Sequence, residues 1–88
     1  MERLCDLSAL RAGQTALVTQ VDGEAAMGRR LMDLGLIPGT QVTCLGVSPA
    51  GDPAAYLIRG AVIALRRRDA EAVAVRSLPA GTGQATLS

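Results

Sequence analysis

Histidine, lysine, tryptophan and phenylalanine are absent from this 88-residue chain, Tyr56 is its lone aromatic, and Cys5 and Cys44 are its only thiols. Each absence closes a class of function. Without histidine there is no imidazole base and no thiol-imidazole pair, and two distant cysteines outside any CxxC spacing are too few for a zinc site. The eight acids are scattered singly, so general acid-base catalysis has no visible agents and no enzyme is expected. The glycines form neither GxGxxG nor GxxxxGKS, and the lysine of a phosphate loop is missing. No cofactor and no metal ligand set is therefore expected.

Long apolar runs are also lacking. Nothing approaches the roughly 20 apolar residues needed to cross a bilayer or the h-region of a signal peptide, so the expectation is a cytoplasmic chain without membrane insertion. Nine arginines against eight acids leave a formal charge of +1, too little to steer the chain toward nucleic acid. Arg66-Arg67-Arg68 is the strongest charge run. With Asp69 and Glu71 beside it and no aromatics for base stacking, it reads as a solvated strand end rather than a phosphate-binding patch.

What is present is aliphatic. The chain is 49% hydrophobic, much of it alanine, so Leu, Val, Ile and Met must build the core at roughly 1.5 to 3 kcal/mol for each fully buried side chain. Leu4, Leu7 and Leu10, spaced by three, predict a helical turn over Leu4–Leu10 with Asp6 or Ser8 as cap. "TALVTQV", Thr15 to Val21, predicts a strand closed by Asp22-Gly23. Glu24 to Leu34 is the one convincing helix: Met27, Leu31 and Leu34 share its inner face, and Met32 projects outward.

Gly35 stands where a left-handed residue can satisfy the last helix carbonyls, which would fold Leu36 back onto Leu31. Ile37-Pro38-Gly39-Thr40 fits a type II turn, proline fixing one φ and glycine supplying the positive one. A strand over Thr40–Ser48 follows, then the loop "PAGDP", residues 49 to 53. "AAYLIR" and "AVIAL" predict a hairpin turning at Gly60-Ala61, with Leu57, Ile58, Val62, Ile63 and Leu65 packed inside. A helical turn in "RRRDAEA" and a last strand "VAVR" complete the domain, residues 1–76, and residues 77–88 are expected to be a flexible tail.

The sum is a mainly β chain of five strands, with one α-helix inserted between the first and second, closing into a small barrel. Its free edges leave room for weak homo-oligomers. Met32, Leu36, Ile37 and Pro38 at the helix end, with Pro49, Asp52 and Pro53 in the loop, form the candidate partner-binding set. Its apolar members exceed what the core needs, and surplus apolar groups on a small domain are frequently contact surface.

"RRLMDLGLIPGTQV", "SPAGDPAAYLIRG" and "IALRRRDAEAVAV", in that order, resemble the FeoA family of bacterial ferrous-iron uptake accessory proteins, from about Leu7 to Val75. The matching positions are Arg30, Leu31, Leu34, Gly35, Leu36, Pro38, Gly39, Pro49, Gly51, Asp52, Pro53, Gly60, Leu65, Arg66 and Ala70. Ala50 replaces a larger apolar residue of the family pattern. The resemblance implies an SH3-like barrel and a partner, the cytoplasmic GTP-binding part of the FeoB permease, through which iron passes without needing a ligand here. Two rival readings stay open: a nucleic-acid-binding or repressor-type small barrel using Arg66 to Arg68, and a thiol metal carrier using Cys5 and Cys44.

Overall fold

The structure, a computed structural model, describes residues 3–78. Six strands run in chain order as β1 (Arg3–Asp6), β2 (Thr15–Val21), β3 (Gln41–Val47), β4 (Ala54–Ile58), β5 (Ala61–Leu65) and β6 (Val73–Ser77). A 3-10 turn, Leu7–Ala9, follows β1, and two short helices, α1 (Gly28–Asp33) and α2 (Arg67–Ala70), precede β3 and β6. All pairings are antiparallel, in the order β1-β6-β2-β3-β4-β5. The sheet is thus six-stranded and open, with β1 and β5 as its edges, where five strands and a closed barrel were expected.

The extra strand is β1. The leucine spacing predicted helix from Leu4, but residues 3 to 6 pair with β6, Cys5 opposite Val75, and Leu4 is left 76% exposed. Only Leu7–Ala9 turns. The Asp6 carboxylate caps that turn, accepting from the Ser8 N–H at 3.0 Å and from the Ser8 hydroxyl. A distant partner strand thus overrides a local period of three.

Helix α1 is shorter than the predicted Glu24–Leu34. Asp22 starts two successive turns instead: its carboxylate accepts from the Glu24 N–H at 3.0 Å, its carbonyl from the Ala25 N–H, and the Ala25 carbonyl from the Gly28 N–H. Gly28 then fits against Asp22, because a Cβ there would lie 2.2 Å from the Asp22 carbonyl oxygen. The helix lies between Thr15–Val21 and Gln41–Val47, which are the second and third strands of the six.

The core lies under the inner face of the sheet. Val18, Val42, Ile58, Val73 and Val75 from the strands meet Leu7, Leu31 and Leu36 from the turn and helix segments, all essentially without exposure. Bulges shift the register after Val18 in β2 and after Cys44 in β3. The second leaves Leu45 nearly half exposed beside buried Cys44. Strand β6 reaches Ser77, and the Leu78 N–H donates to the Thr15 carbonyl, so the expected tail does not begin at Ser77; its remainder, 79 to 88, lies outside the described residues.

Candidate docking surface

The helix end is built from main-chain bonds. The Leu36 N–H donates to the Leu31 carbonyl at 3.1 Å and the Gly35 N–H to the Met32 carbonyl at 3.0 Å, with Gly35 at φ 110°, which is the double bond pattern of a left-handed C-terminal cap. Arg59 fills the space above Gly35: a Cβ on that glycine would meet its Cδ at 2.6 Å. The turn that follows closes through Thr40 N–H to Ile37 carbonyl at 3.0 Å, with Gly39 at φ 92°. It is pinned to the middle of β2 as well, because Gly39 N–H donates to the Val18 carbonyl and Val18 N–H to the Thr40 carbonyl, both at 2.8 Å.

These five main-chain bonds would mean little without exposed groups to hold, and Met32, Ile37 and Pro38 are exposed there. Leu36 is not. It is fully buried against the core, so it props the turn from beneath and offers no surface. That removes Leu36 from the contacting set as sequence reasoning drew it.

The other half of the predicted set lies elsewhere. Pro49, Asp52 and Pro53 follow β3 while Ile37 and Pro38 precede it, and a seven-residue strand separates its ends by about 20 Å. The sequence-predicted set is therefore two patches. In the loop, the Gly51 N–H donates to the Ser48 carbonyl at 2.8 Å, and the Ser48 N–H to the Pro53 carbonyl at 3.0 Å across a cis Asp52–Pro53 bond. Asp52 points its carboxylate at α2, accepting from the Arg67 N–H at 2.8 Å. It caps a first turn that Arg66 leaves without a side-chain cap.

Arginines crowd this second end. Arg66, Arg67 and Arg68 line an open cleft of about 560 Å³ with Asp52 and Glu71, and Arg66 and Arg68 also border a second hollow beside Met27. Beneath the loop a small cavity of about 50 Å³ reaches Tyr56. The Tyr56 hydroxyl donates to the Leu7 carbonyl at 3.4 Å, and burial, helped by Cys44, Asp52 and Asp6 and opposed by Arg67, pushes its pKa up to about 12. Burial likewise raises the Cys44 thiol, opposed by a backbone hydrogen bond with Gly46.

A third apolar patch was not anticipated. Leu57 and Val62, assigned to the interior by sequence reasoning, face outward as cross-strand partners at 37% and 66% exposure. Leu45 and Val47 on β3 are exposed as well. The signal was available in the alternation of "AAYLI", where Tyr56 and Ile58 point inward and so turn Leu57 out. The turn itself is Arg59-Gly60, both at positive φ, rather than Gly60-Ala61.

Among the described residues no three His, Cys, Asp or Glu side chains cluster as metal ligands. Cys5 on β1 is half-buried and Cys44 on β3 is fully buried, and both are free thiols. Among the described residues no helix is long and apolar enough to cross a membrane.

A family model described as the FeoA domain matches residues 5–77. A Porphyromonas gingivalis protein described as an Fe(2+) transport protein A/Fe(2+) transporter FeoB fusion is 32% identical over 69 residues, covering 78% of this chain. The chain spans only 8% of that relative's length. The FeoA protein of Chlorobium tepidum superposes with a TM-score of 0.76 at 43% identity, covering 84% of this chain and 70% of the other. Stenotrophomonas maltophilia FeoA, solved with zinc and described as a prokaryotic SH3 domain protein, gives 0.72 at 31% identity, covering 80% and 87%. A manganese-dependent transcriptional repressor shares the fold at TM-score 0.75 and 25% identity, over 85% of this chain and 41% of the repressor.

Proposed function

Because the chain belongs to the FeoA family, we propose that it is a non-enzymatic accessory protein of ferrous iron uptake, docking on the cytoplasmic GTP-binding part of a FeoB-like permease. The observation that carries this reading is the Porphyromonas gingivalis relative, in which the two transport modules are named as one fused chain. Covalent joining keeps two modules at high local concentration, an arrangement that serves a contact between them. Iron passes through the permease, and this chain contributes touch rather than ligands.

Met32, Ile37 and Pro38 are the proposed contact, held rigid by the helix cap and by the bonds to β2. Preorganised apolar groups lose little freedom on binding, which favours this end of β3 over the polar loop. Pro49, Asp52 and Pro53 form a second, separate point of contact. Calorimetric titration of the chain into a FeoB cytoplasmic GTP-binding domain tests the reading. Binding should fall at least about tenfold in a Met32→Glu, Ile37→Glu double variant of unchanged stability. No heat from the unaltered chain would overturn the partner, and full binding by the double variant would overturn the surface.

A regulatory module that touches nucleic acid is favoured by one feature, the open cleft lined by Arg66, Arg67 and Arg68. It predicts binding to a short duplex that weakens steeply with added salt. Salt-independent behaviour would dispose of it.

A further inference from the structure

Among the described residues strand β5 is an edge, bonded to β4 on one side and to no strand on the other. The two-residue turn at Arg59-Gly60 makes Ile58 and Ala61 the hydrogen-bonded pair that closes the hairpin. The antiparallel ladder alternates from there, so Ala61, Ile63 and Leu65 direct their N–H and C=O groups at β4, and Val62 and Ala64 direct theirs outward. The outer face beside them is uncharged: Val62 lies opposite Leu57, Leu57 opposite Thr43, and Ala64 opposite Ala55. A straight, uncharged, apolar edge of this kind invites another strand.

Charge selects which strand. No ionisable residue lies within β5, but Arg59 precedes it and Arg66, Arg67 and Arg68 follow it, against only Asp69 and Glu71 between residues 59 and 71. Asp52, the carboxylate that reaches in from the loop, is engaged with the Arg67 N–H. A second copy pairing antiparallel about Ile63 would bring Gly60 and Arg59 toward Arg66 and Arg67 of that copy, and like charges across a ladder are destabilising. The edge therefore repels itself.

We infer that β5 is a strand-addition site for an extended segment of a partner protein, apolar at alternate positions in its centre and acidic at its ends. Main-chain bonds to Val62 and Ala64 hold the segment, its apolar side chains lie on Val62 and Leu57, and its carboxylates meet Arg66 and Arg68. The inference goes beyond the docking of the helix end and does not depend on it, since it uses a different element and identifies its occupant by the chemistry of the segment alone.

The probe is a peptide of roughly nine residues, valine alternating with threonine in the centre and glutamate at both ends. A control peptide carries arginine at its ends instead. Adding the acidic peptide should slow amide hydrogen exchange about tenfold at Val62 and Ala64, which have no internal bond, and leave Ala61 and Ile63 nearly unchanged. Val62→Pro removes an outward donor at an edge position where proline is tolerated, and should abolish that protection. Arg66→Glu with Arg68→Glu should transfer the preference to the basic peptide, and this variant decides the matter if Val62→Pro fails to fold. Equal protection by both peptides, protection surviving in folded Val62→Pro, or self-association through the same amides without peptide would each overturn the inference. None of these outcomes bears on FeoB binding through Met32 and Ile37.

Discussion

The two ends of β3 hold their chain by different means. Before β3, a cap, a turn and a pair of bonds to Val18 fix the backbone through main-chain groups, and Met32, Ile37 and Pro38 are left exposed there. After β3, the loop leans on α2 through one carboxylate, Asp52, and the surroundings are arginines and acids. The difference teaches where rigidity and adaptability sit in a small domain. Backbone bonding makes a surface whose shape survives side-chain replacement; the loop has two such bonds of its own, but its hold on α2 is the single charge-assisted bond of Asp52, which one substitution removes.

The largest effect should come from breaking the support of the rigid end. Gly28→Ala would place a methyl 2.2 Å from the Asp22 carbonyl oxygen, with the Gly23 Cα at 2.9 Å, both of them backbone that cannot swing aside. A loss of about 3 kcal/mol is expected, read as a lower urea midpoint at unchanged slope. A midpoint close to the parent's would mean that the α1 entrance yields easily and that the contrast between the two ends is false. Gly39→Ala sharpens the same point, because nothing lies within 4 Å of its added methyl and only the positive φ of 92° opposes it. About 1 kcal/mol should be lost there.

The polar end carries a pH signature. Tyr56 has its pKa raised by burial first, then by Cys44, Asp52 and Asp6, to about 12 from an ordinary 10. Its neutral form is therefore favoured by folding, and that stabilisation is complete below pH 10 and is lost as pH rises toward 12. Up to about 2 to 3 kcal/mol should disappear across that window, and Tyr56→Phe should remove this part, leaving only the alkaline loss that the buried Cys44 thiol contributes. Tyr56 is the chain's only tyrosine, so phenolate absorbance reports it alone. A half-point near pH 10 in the folded protein would remove the claim.

Asp52→Ala should cost less, about 1 kcal/mol, as expected for loss of one capping bond at a short helix. The same change removes one of the charges that raise Tyr56, so its titration should move downward as well. Stability lost without that downward move would place the Asp52 carboxylate away from the Tyr56 hydroxyl.

How much of this could be read from the sequence divides along the same line. The Gly35 cap, the Pro38-Gly39 turn and the fold-back of Leu36 toward Leu31 follow from residues within a few positions of one another, although Leu36, drawn as contact surface, is in fact buried. The place of β1 was not, because Leu4 to Asp6 become a strand only by pairing with Val75 and its neighbours, far along the chain. For the same reason the candidate site was drawn as one patch. Pro38 and Pro49 are near in sequence, but the seven residues of β3 between them carry them apart. The outward turn of Leu57 and Val62 was legible in principle from strand alternation, but apolar character was given more weight than phase.

The smallest effect on stability should accompany a large effect on binding. Met32 sits at the outer face of α1, 36% exposed, its methyl reaching Gly23 at 3.6 Å from where a Cβ would be. Met32→Glu removes that light contact and should change stability by no more than about 0.5 kcal/mol. If the apolar end is the docking surface, the same change buries a carboxylate in the complex and weakens association by at least about tenfold. Pro49→Glu is the matched change at the other end, and the order of the two losses decides which end carries the contact. A greater loss at Pro49 would reverse the assignment, because the looser, charged end would then be the one that meets the partner.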